Sequence, residues 1–127
     1  MRVFVDTSAA AKLLKEEAET PALKHWLDAN EPDLVAINVL ETELRRMAIR
    51  DEIDQFLVTD ILDGIGLEEL SPADYRVAGL MQGKFLRSLD ALHLQGAIKL
   101  DADAILAYDN RMTEAARAFG FRVSAPK

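Results

Sequence analysis

With 127 residues, half of them hydrophobic and 29% charged, the chain has the make-up of one folded domain over residues 1–127, which excludes a disordered polymer and a two-domain enzyme. Its 22 acids against 15 Lys and Arg give a net charge of −7, which argues against contact with nucleic acid through a broad basic surface but allows a clustered acidic site whose bound cation inverts the local field. The absence of Cys removes disulfides, thiolate metal sites and Cys nucleophiles and suits a reducing cytoplasm; no apolar stretch approaches the roughly 20 residues that span a bilayer, and the start has no long apolar run of the kind a secretory signal needs.

Residues 2–6 read as a β-rich run ending in Asp6-Thr7-Ser8, where Asp6 or a hydroxyl caps the helix that follows over 9–14. Pro21 fits the first turn of a second helix with Ala22, Leu23, Trp26 and Leu27 on one stripe. Residues 33–37 read as a buried strand, and Asn38 opens a helix carrying Leu40, Leu44, Met47 and Ala48. A helix over 52–63 is expected with Ile53, Phe56, Leu57 and Ile61 inward, broken by Gly64 and Gly66, and 65–70 is a weak strand. Ser71, Pro72 and Asp74 have the spacing of a helix start, with Ser71 at the N-cap and an acid three residues on; that helix is expected to run to about Phe85. Leu89-Asp90 begins another with Leu94, Ala97 and Ile98, residues 104–108 form a strand ending at Asp109, and 110–119 form a helix stopped by Gly120 before a last short strand at 121–123. Short β runs alternating with helices predict right-handed crossovers and an α/β fold: a central, mostly parallel twisted sheet with helices on both faces.

In such sheets ligands bind beyond the carboxyl ends of the strands. Two strands end there in an acid, Asp6 and Asp109. Each alone is equally well read as a helix cap; two at one sheet edge favour a site. Asp90 stands at or just inside a helix start near the same edge, and capping explains it equally well on its own. The helix from Asn38 offers Glu41, which has capping-box spacing, and Glu43, which lies beside the apolar stripe where an unpartnered acid is costly. Periodicity leaves that choice open. Three or four carboxylates without Cys and with few His make an all-oxygen donor set, which suits Mg²⁺ or Mn²⁺ rather than Zn²⁺. Glu16, Glu17, Glu19, Glu68 and Glu69 read as a solvated face. His93 reads as a packed, hydrogen-bonded histidine rather than a ligand, and Trp26 and Phe56 as core or interface rather than base-stacking groups.

Four blocks in order, Phe4-Val5-Asp6-Thr7-Ser8-Ala9, Thr42-Glu43-Leu44-Arg45-Arg46, Leu86 to Leu94 around Asp90-Ala91-Leu92-His93, and Ala107-Tyr108-Asp109-Asn110, resemble a PIN domain, and more narrowly a VapC-type toxin of a toxin–antitoxin pair. The resemblance spans nearly the whole chain. It implies a three-layer α/β/α fold and a metal-dependent endoribonuclease. Asp6, Glu43, Asp90 and Asp109 match the family's acids, which selects Glu43 over Glu41, and Thr7 or Ser8 matches the hydroxyl that supports the first acid. Asp6, Asp90 and Asp109 would then bind Mg²⁺ or Mn²⁺ directly or through water while Glu43 orients a water, leaving 5′-phosphate and 3′-hydroxyl ends. Candidate RNA contacts are Arg45, Arg46 and Arg87; Arg50 and Lys84 are equally well read as solvated helix charges. The resemblance also implies an inhibitory antitoxin partner and a homodimer. Leu13, Leu14, Leu23 and Trp26 are either an antitoxin groove or core.

Two rivals belong to other classes. A haloacid-dehalogenase-like phosphatase would use Asp6 as nucleophile but needs a second Asp two residues on, where this chain has Ser8. A non-catalytic acidic metal- or partner-binding module of the same fold would keep the architecture without the chemistry, and the full set of acids argues against it.

Overall fold

The computed structural model describes residues 1–127. The first element is strand β1 (Arg2–Val5), followed by α1 (Thr7–Leu14), α2 (Thr20–Asn30), β2 (Asp33–Ile37), α3 (Val39–Arg50), α4 (Gln55–Asp63), β3 (Gly66–Glu68), α5 (Pro72–Gly79), α6 (Ser88–Lys99), β4 (Ala104–Leu106), α7 (Asn110–Ala118) and β5 (Arg122–Ser124). The strands form one sheet in the order β3-β2-β1-β4-β5, and every pairing is parallel. The expected mostly parallel sheet is therefore wholly parallel.

Alternation along each strand divides the core into two layers. Val3, Val5, Ala36, Ala104 and Leu106 face one side, where they pack with Ala9, Leu14, Leu23, Leu40, Leu44, Ala48 and Val58 from α1 to α4. Phe4, Val35, Ile37 and Ile105 face the other and pack with Leu94, Ala97, Met112 and Ala116 from α6 and α7. This is the predicted three-layer α/β/α arrangement. Gly96 lets α6 lie close against the sheet: a Cβ there would collide with Ile37 Cγ2 and stand 3.0 Å from Phe4 Cε2.

Several local expectations are corrected. The helix begun by the Ser71–Asp74 capping box ends at Gly79, not near Phe85. Gly79 is a weak helix former, and Gly83 turns the chain at φ +123°, where glycine is at home. Asn38 makes no side-chain cap; Glu41 instead pairs with Arg45 Nε at 2.8 Å, so the spacing is present without the box. The helix expected from 52 starts at Gln55 behind an Asp54 cap, which resets its buried stripe to Val58, Ile61 and Leu62. Phe56 and Leu57 consequently point outward, Phe56 at 77% exposure. Leu14 and Leu23 are buried, and Leu13 and Trp26 pack against the same core, which resolves those four residues as core rather than an open groove.

Candidate active site

The sheet order sets the position of the site. The chain leaves β1 toward β2 on one side and reaches β4 on the other, so the topological switch point lies between β1 and β4, where open α/β sheets hold their ligands. Asp6 and Asp109 emerge beside each other there. The Asp6 N–H donates to Leu106 O at 3.0 Å, joining the two strand tips.

Both acids are caps as well. Asp6 Oδ2 accepts the Ser8 N–H at 3.2 Å and the Ser8 hydroxyl at 2.5 Å, and Asp109 Oδ2 accepts the Met112 N–H at 3.0 Å. Each carboxylate spends one oxygen on its helix start and keeps the other for the cavity. Ser8 Oγ in turn accepts the backbone N–H of Tyr108 at 2.9 Å and of Asp109 at 3.3 Å. One hydroxyl thus clamps the end of β4 to the start of α1. Lys12 backs the clamp with its ammonium 4.7 Å from the Tyr108 ring centroid.

A cavity of about 240 Å³ opens at this edge, lined by Asp6, Thr7, Ser8, Glu43, Leu89, Asp90, His93 and Asp109. The four acids singled out in the sequence, separated by as many as 103 positions from Asp6 to Asp109, therefore line one cavity. Both candidate hydroxyls line it too, with separate tasks: Ser8 holds Asp6, and Thr7 Oγ1 donates to Glu43 Oε1 at 2.8 Å.

Asp90 differs from its neighbours. It sits in the first turn of α6, and its Oδ2 is buried without a hydrogen-bond partner. Burial, then the charge of Asp109, then that of Asp6 push its pKa up, with Arg111 opposing. A half-buried carboxylate with a bare oxygen, raised in pKa by two neighbouring acids, is a carboxylate that a bound cation would stabilise.

Glu43 is in the opposite condition. Burial raises its pKa, but the His93 hydrogen bond, the His93 charge and the Thr7 hydrogen bond outweigh this and hold it below the usual Glu range. His93 is 2% exposed. Its Nε2 lies 2.7 Å from Glu43 Oε1 and 3.3 Å from Thr7 Oγ1. Because an ionised carboxylate only accepts, Nε2 carries the proton in that pair. Phe4 meets the imidazole edge-on with ring centroids 6.0 Å apart. Sequence reasoning set His93 aside as a packed residue; it is packed and also lines the cavity. The available signal was its spacing three residues after Asp90, which puts both on one face of α6.

No three His, Asp or Glu side chains are drawn together tightly enough to wrap an ion by themselves. The donor set fits an ion that keeps several waters and takes only one or two carboxylates directly, the habit of Mg²⁺; the bare Asp90 oxygen is where the residues present fit it best.

The three candidate RNA-contacting arginines stand outside the cavity lining. Arg45 is committed within the fold, donating to Glu41, to Gln55 Oε1 at 3.1 Å and to Thr59 Oγ1 at 3.3 Å. Arg46 and Arg87 are exposed and form no ion pair.

Comparison with known proteins agrees with this architecture. Residues 3–118 match the model of the PIN domain. The protein named Ribonuclease VapC35 of Mycobacterium tuberculosis is 35% identical over 131 aligned residues, covering 98% of this chain and 96% of the relative. Ribonuclease VapC47 of the same species is 33% identical with the same coverage. Among solved structures, Mycobacterium tuberculosis VapC20, described as a Sarcin-Ricin loop cleaving toxin, superposes with a TM-score of 0.76 at 19% identity, covering 98% of this chain and 99% of that one. VapBC2 from Rickettsia felis, bound to a DNA fragment from its promoter, superposes with a TM-score of 0.69 at 12% identity over the full length of both chains. A parallel sheet with acids gathered at its switch point, a family match across residues 3–118 and VapC relatives above 30% identity together establish that this chain belongs to the PIN-domain family, in its VapC branch.

Proposed function

We propose that the chain is an endoribonuclease, the toxin of a toxin–antitoxin pair, which hydrolyses RNA phosphodiesters at the Asp6, Glu43, Asp90 and Asp109 cavity with the help of Mg²⁺ or Mn²⁺. The observation that carries the reading is the unpartnered, buried Oδ2 of Asp90 among the other acids, with the Asp90 pKa pushed up by burial and by its neighbours. A divalent ion, when bound, supplies positive charge to the scissile phosphate and acidifies a water.

The remaining work belongs to the chain. Asp90, Asp6 and Asp109 are the residues to hold the ion, directly or through water. Glu43, kept ionised by His93 and Thr7, orients the attacking water and is the group that can take its proton. Ser8 ties the Asp6 carboxylate to the Asp109 backbone N–H, so the acidic edge is pre-set before substrate arrives. Arg46 and Arg87 are free to meet phosphates of the strand, whereas Arg45 is held by Glu41. Products with 5′-phosphate and 3′-hydroxyl ends follow from attack by water with departure of the 3′ oxygen.

The names of the relatives support RNA as substrate, and the VapBC2 structure supports an antitoxin partner. A homodimer and a cytoplasmic location complete the reading; no helix is long and apolar enough to cross a membrane. The test is cleavage of total RNA by the wild type, Asp6→Ala and Asp90→Asn in Mg²⁺, Mn²⁺ or EDTA. Metal-dependent cleavage by the wild type alone is expected. Intact Mg²⁺-dependent cleavage by either variant overturns the assignment, and Mn²⁺ binding without cleavage of any RNA would identify a binding module instead.

A further inference from the structure

A second cavity lies beside the acidic one. It has a volume of about 270 Å³ and runs between the Gln82–Leu86 segment and α7, whose Arg111, Glu114, Ala115 and Ala118, with Phe119 just past the helix end, form its wall. Leu86 packs into the core and anchors the segment, while its neighbour Phe85 stays 81% exposed, the most exposed of the large apolar side chains. The Lys84 ammonium stands 5.8 Å from the Phe85 ring centroid. Phe56 and Leu80 are almost as exposed, so exposure alone marks nothing; what sets Phe85 apart is its place in the lining of a cavity together with two cations, Lys84 and Arg111.

The two cavities share the start of α7. Asp109 lines the first, and Arg111, two residues on, lines the second. Arg111 is also close enough to lower the Asp90 pKa. Lys84 and Arg111, which line the second cavity, and Arg87, next to Leu86 of its lining, form no ion pair; Glu114 is the one acid in that lining. Exposed aromatic rings interleaved with free cations are the composition by which proteins hold single-stranded nucleic acid: the ring stacks a base and the cations take the flanking phosphates.

We propose that this cavity is a base subsite, which takes one unpaired nucleobase of the RNA strand next to the scissile phosphate. Phe85 is the stacking surface and Phe119 the far wall. Arg111 binds the phosphate nearer the acids, and Lys84 binds the one beyond the base. The cavity is small for a ligand pocket, which suits a single planar ring. A strand seated there must be unpaired at that position, so the subsite selects loops and bulges over duplex. This inference rests on the ribonuclease reading.

The probe is a single-stranded RNA dodecamer carrying 2-aminopurine at each position in turn. Binding is followed by anisotropy and by 2-aminopurine quenching, in an Asp6→Ala background that prevents cleavage. Phe85→Ala is expected to weaken binding about tenfold and to abolish the quenching at one position; Phe85→Trp is expected to restore both. The exposure of Phe85 means that the melting temperature is unchanged in either variant. Equal affinity and equal quenching in Phe85→Ala, with RNA cleavage by the otherwise wild-type chain intact, overturn the subsite and leave the nuclease standing. Loss of antitoxin binding by Phe85→Ala with RNA binding unchanged overturns it in favour of a protein-docking role. Absence of both RNA binding and cleavage in the wild type removes the ribonuclease reading and the subsite with it.

Discussion

Replacing Asp90 by Asn is expected to make the metal-free protein more stable while disabling it. Asp90 Oδ2 is buried without a hydrogen-bond partner, and the Asp90 pKa is raised by burial, by Asp109 and by Asp6. An amide would leave a polar atom unpartnered as well, so the gain is the relief of burying a charge beside two others, about 1 kcal/mol after screening by solvent. The amide keeps the shape and removes the charge. In EDTA at pH 7.5 the variant should therefore melt roughly 4 °C above the wild type. The sign of the pH dependence follows from the direction of the shift. A folded-state pKa above the unfolded one penalises the fold at high pH, and the penalty disappears as pH falls through the folded value. The advantage of the variant should shrink on acidification and vanish below the ordinary Asp value of about 4. Saturating Mn²⁺ should reverse the order, because an ion at one hundred times its Kd adds about 2.7 kcal/mol to a protein that binds it and the variant has lost a ligand. Differential scanning fluorimetry across pH, with EDTA or Mn²⁺, reads all three. A variant that melts below the wild type in EDTA, with no convergence at low pH, would refute the reasoning.

His93→Leu should lower kcat for RNA cleavage at least tenfold with little change in KM, because Glu43 loses its donor. His93→Gln, whose Nε2 reaches the same oxygen, should retain most activity in the same steady-state assay, and equal losses in the two would assign His93 to packing alone. Gly96→Ala should destabilise the protein by about 1–3 kcal/mol in urea titration, since the new methyl meets Ile37 and Phe4 in a filled core; an unchanged midpoint would show that α6 can lift off the sheet. The Lys99 ammonium, first of all, with Ser71 and Gln95 holds the Asp74 carboxyl far below the usual carboxylate range, so its stabilisation is complete above pH of about 4 and is lost as pH falls further. Asp74→Asn should thus be less stable at neutral pH and show a shallower acid limb in circular-dichroism titration, whereas an acid limb parallel to that of the wild type would contradict the link.

The acids were legible because strand-terminal and helix-initial positions are local properties. Asp6 and Asp109 each follow a short β run, and Asp90 opens an apolar helix, so their shared sheet edge follows from parallel pairing alone. The role of Glu43 was not legible from period: it sits at the margin of the α3 stripe, and its partners Thr7 and His93 lie 36 and 50 residues away. The same limit hid Arg45, whose neighbours on α4 take up its guanidinium. Where sequence expectation erred on structure, the cause was phase or length. The Asp54 cap moved the start of α4 and turned Phe56 outward, and Gly79 ended α5 early, releasing the segment that carries Phe85. His93 shows a further limit, since its apolar surroundings describe a core residue correctly and say nothing of the carboxylate on its polar edge.

The placement of β1 between β2 and β4 has a consequence for translation. A nascent chain can pair β1 with β2 once its first forty or so residues have emerged, but the Asp6 amide waits for Leu106 and the Ser8 hydroxyl waits for Tyr108. Until those residues leave the ribosome, the acids that gather at the cavity are scattered along an incompletely folded polypeptide. A chain interrupted anywhere before Asp109 lacks β5 and the last of the four acids, and so carries no complete pocket. Because the pocket is built from residues more than a hundred positions apart, it is completed only near the end of synthesis, and truncated chains lack it.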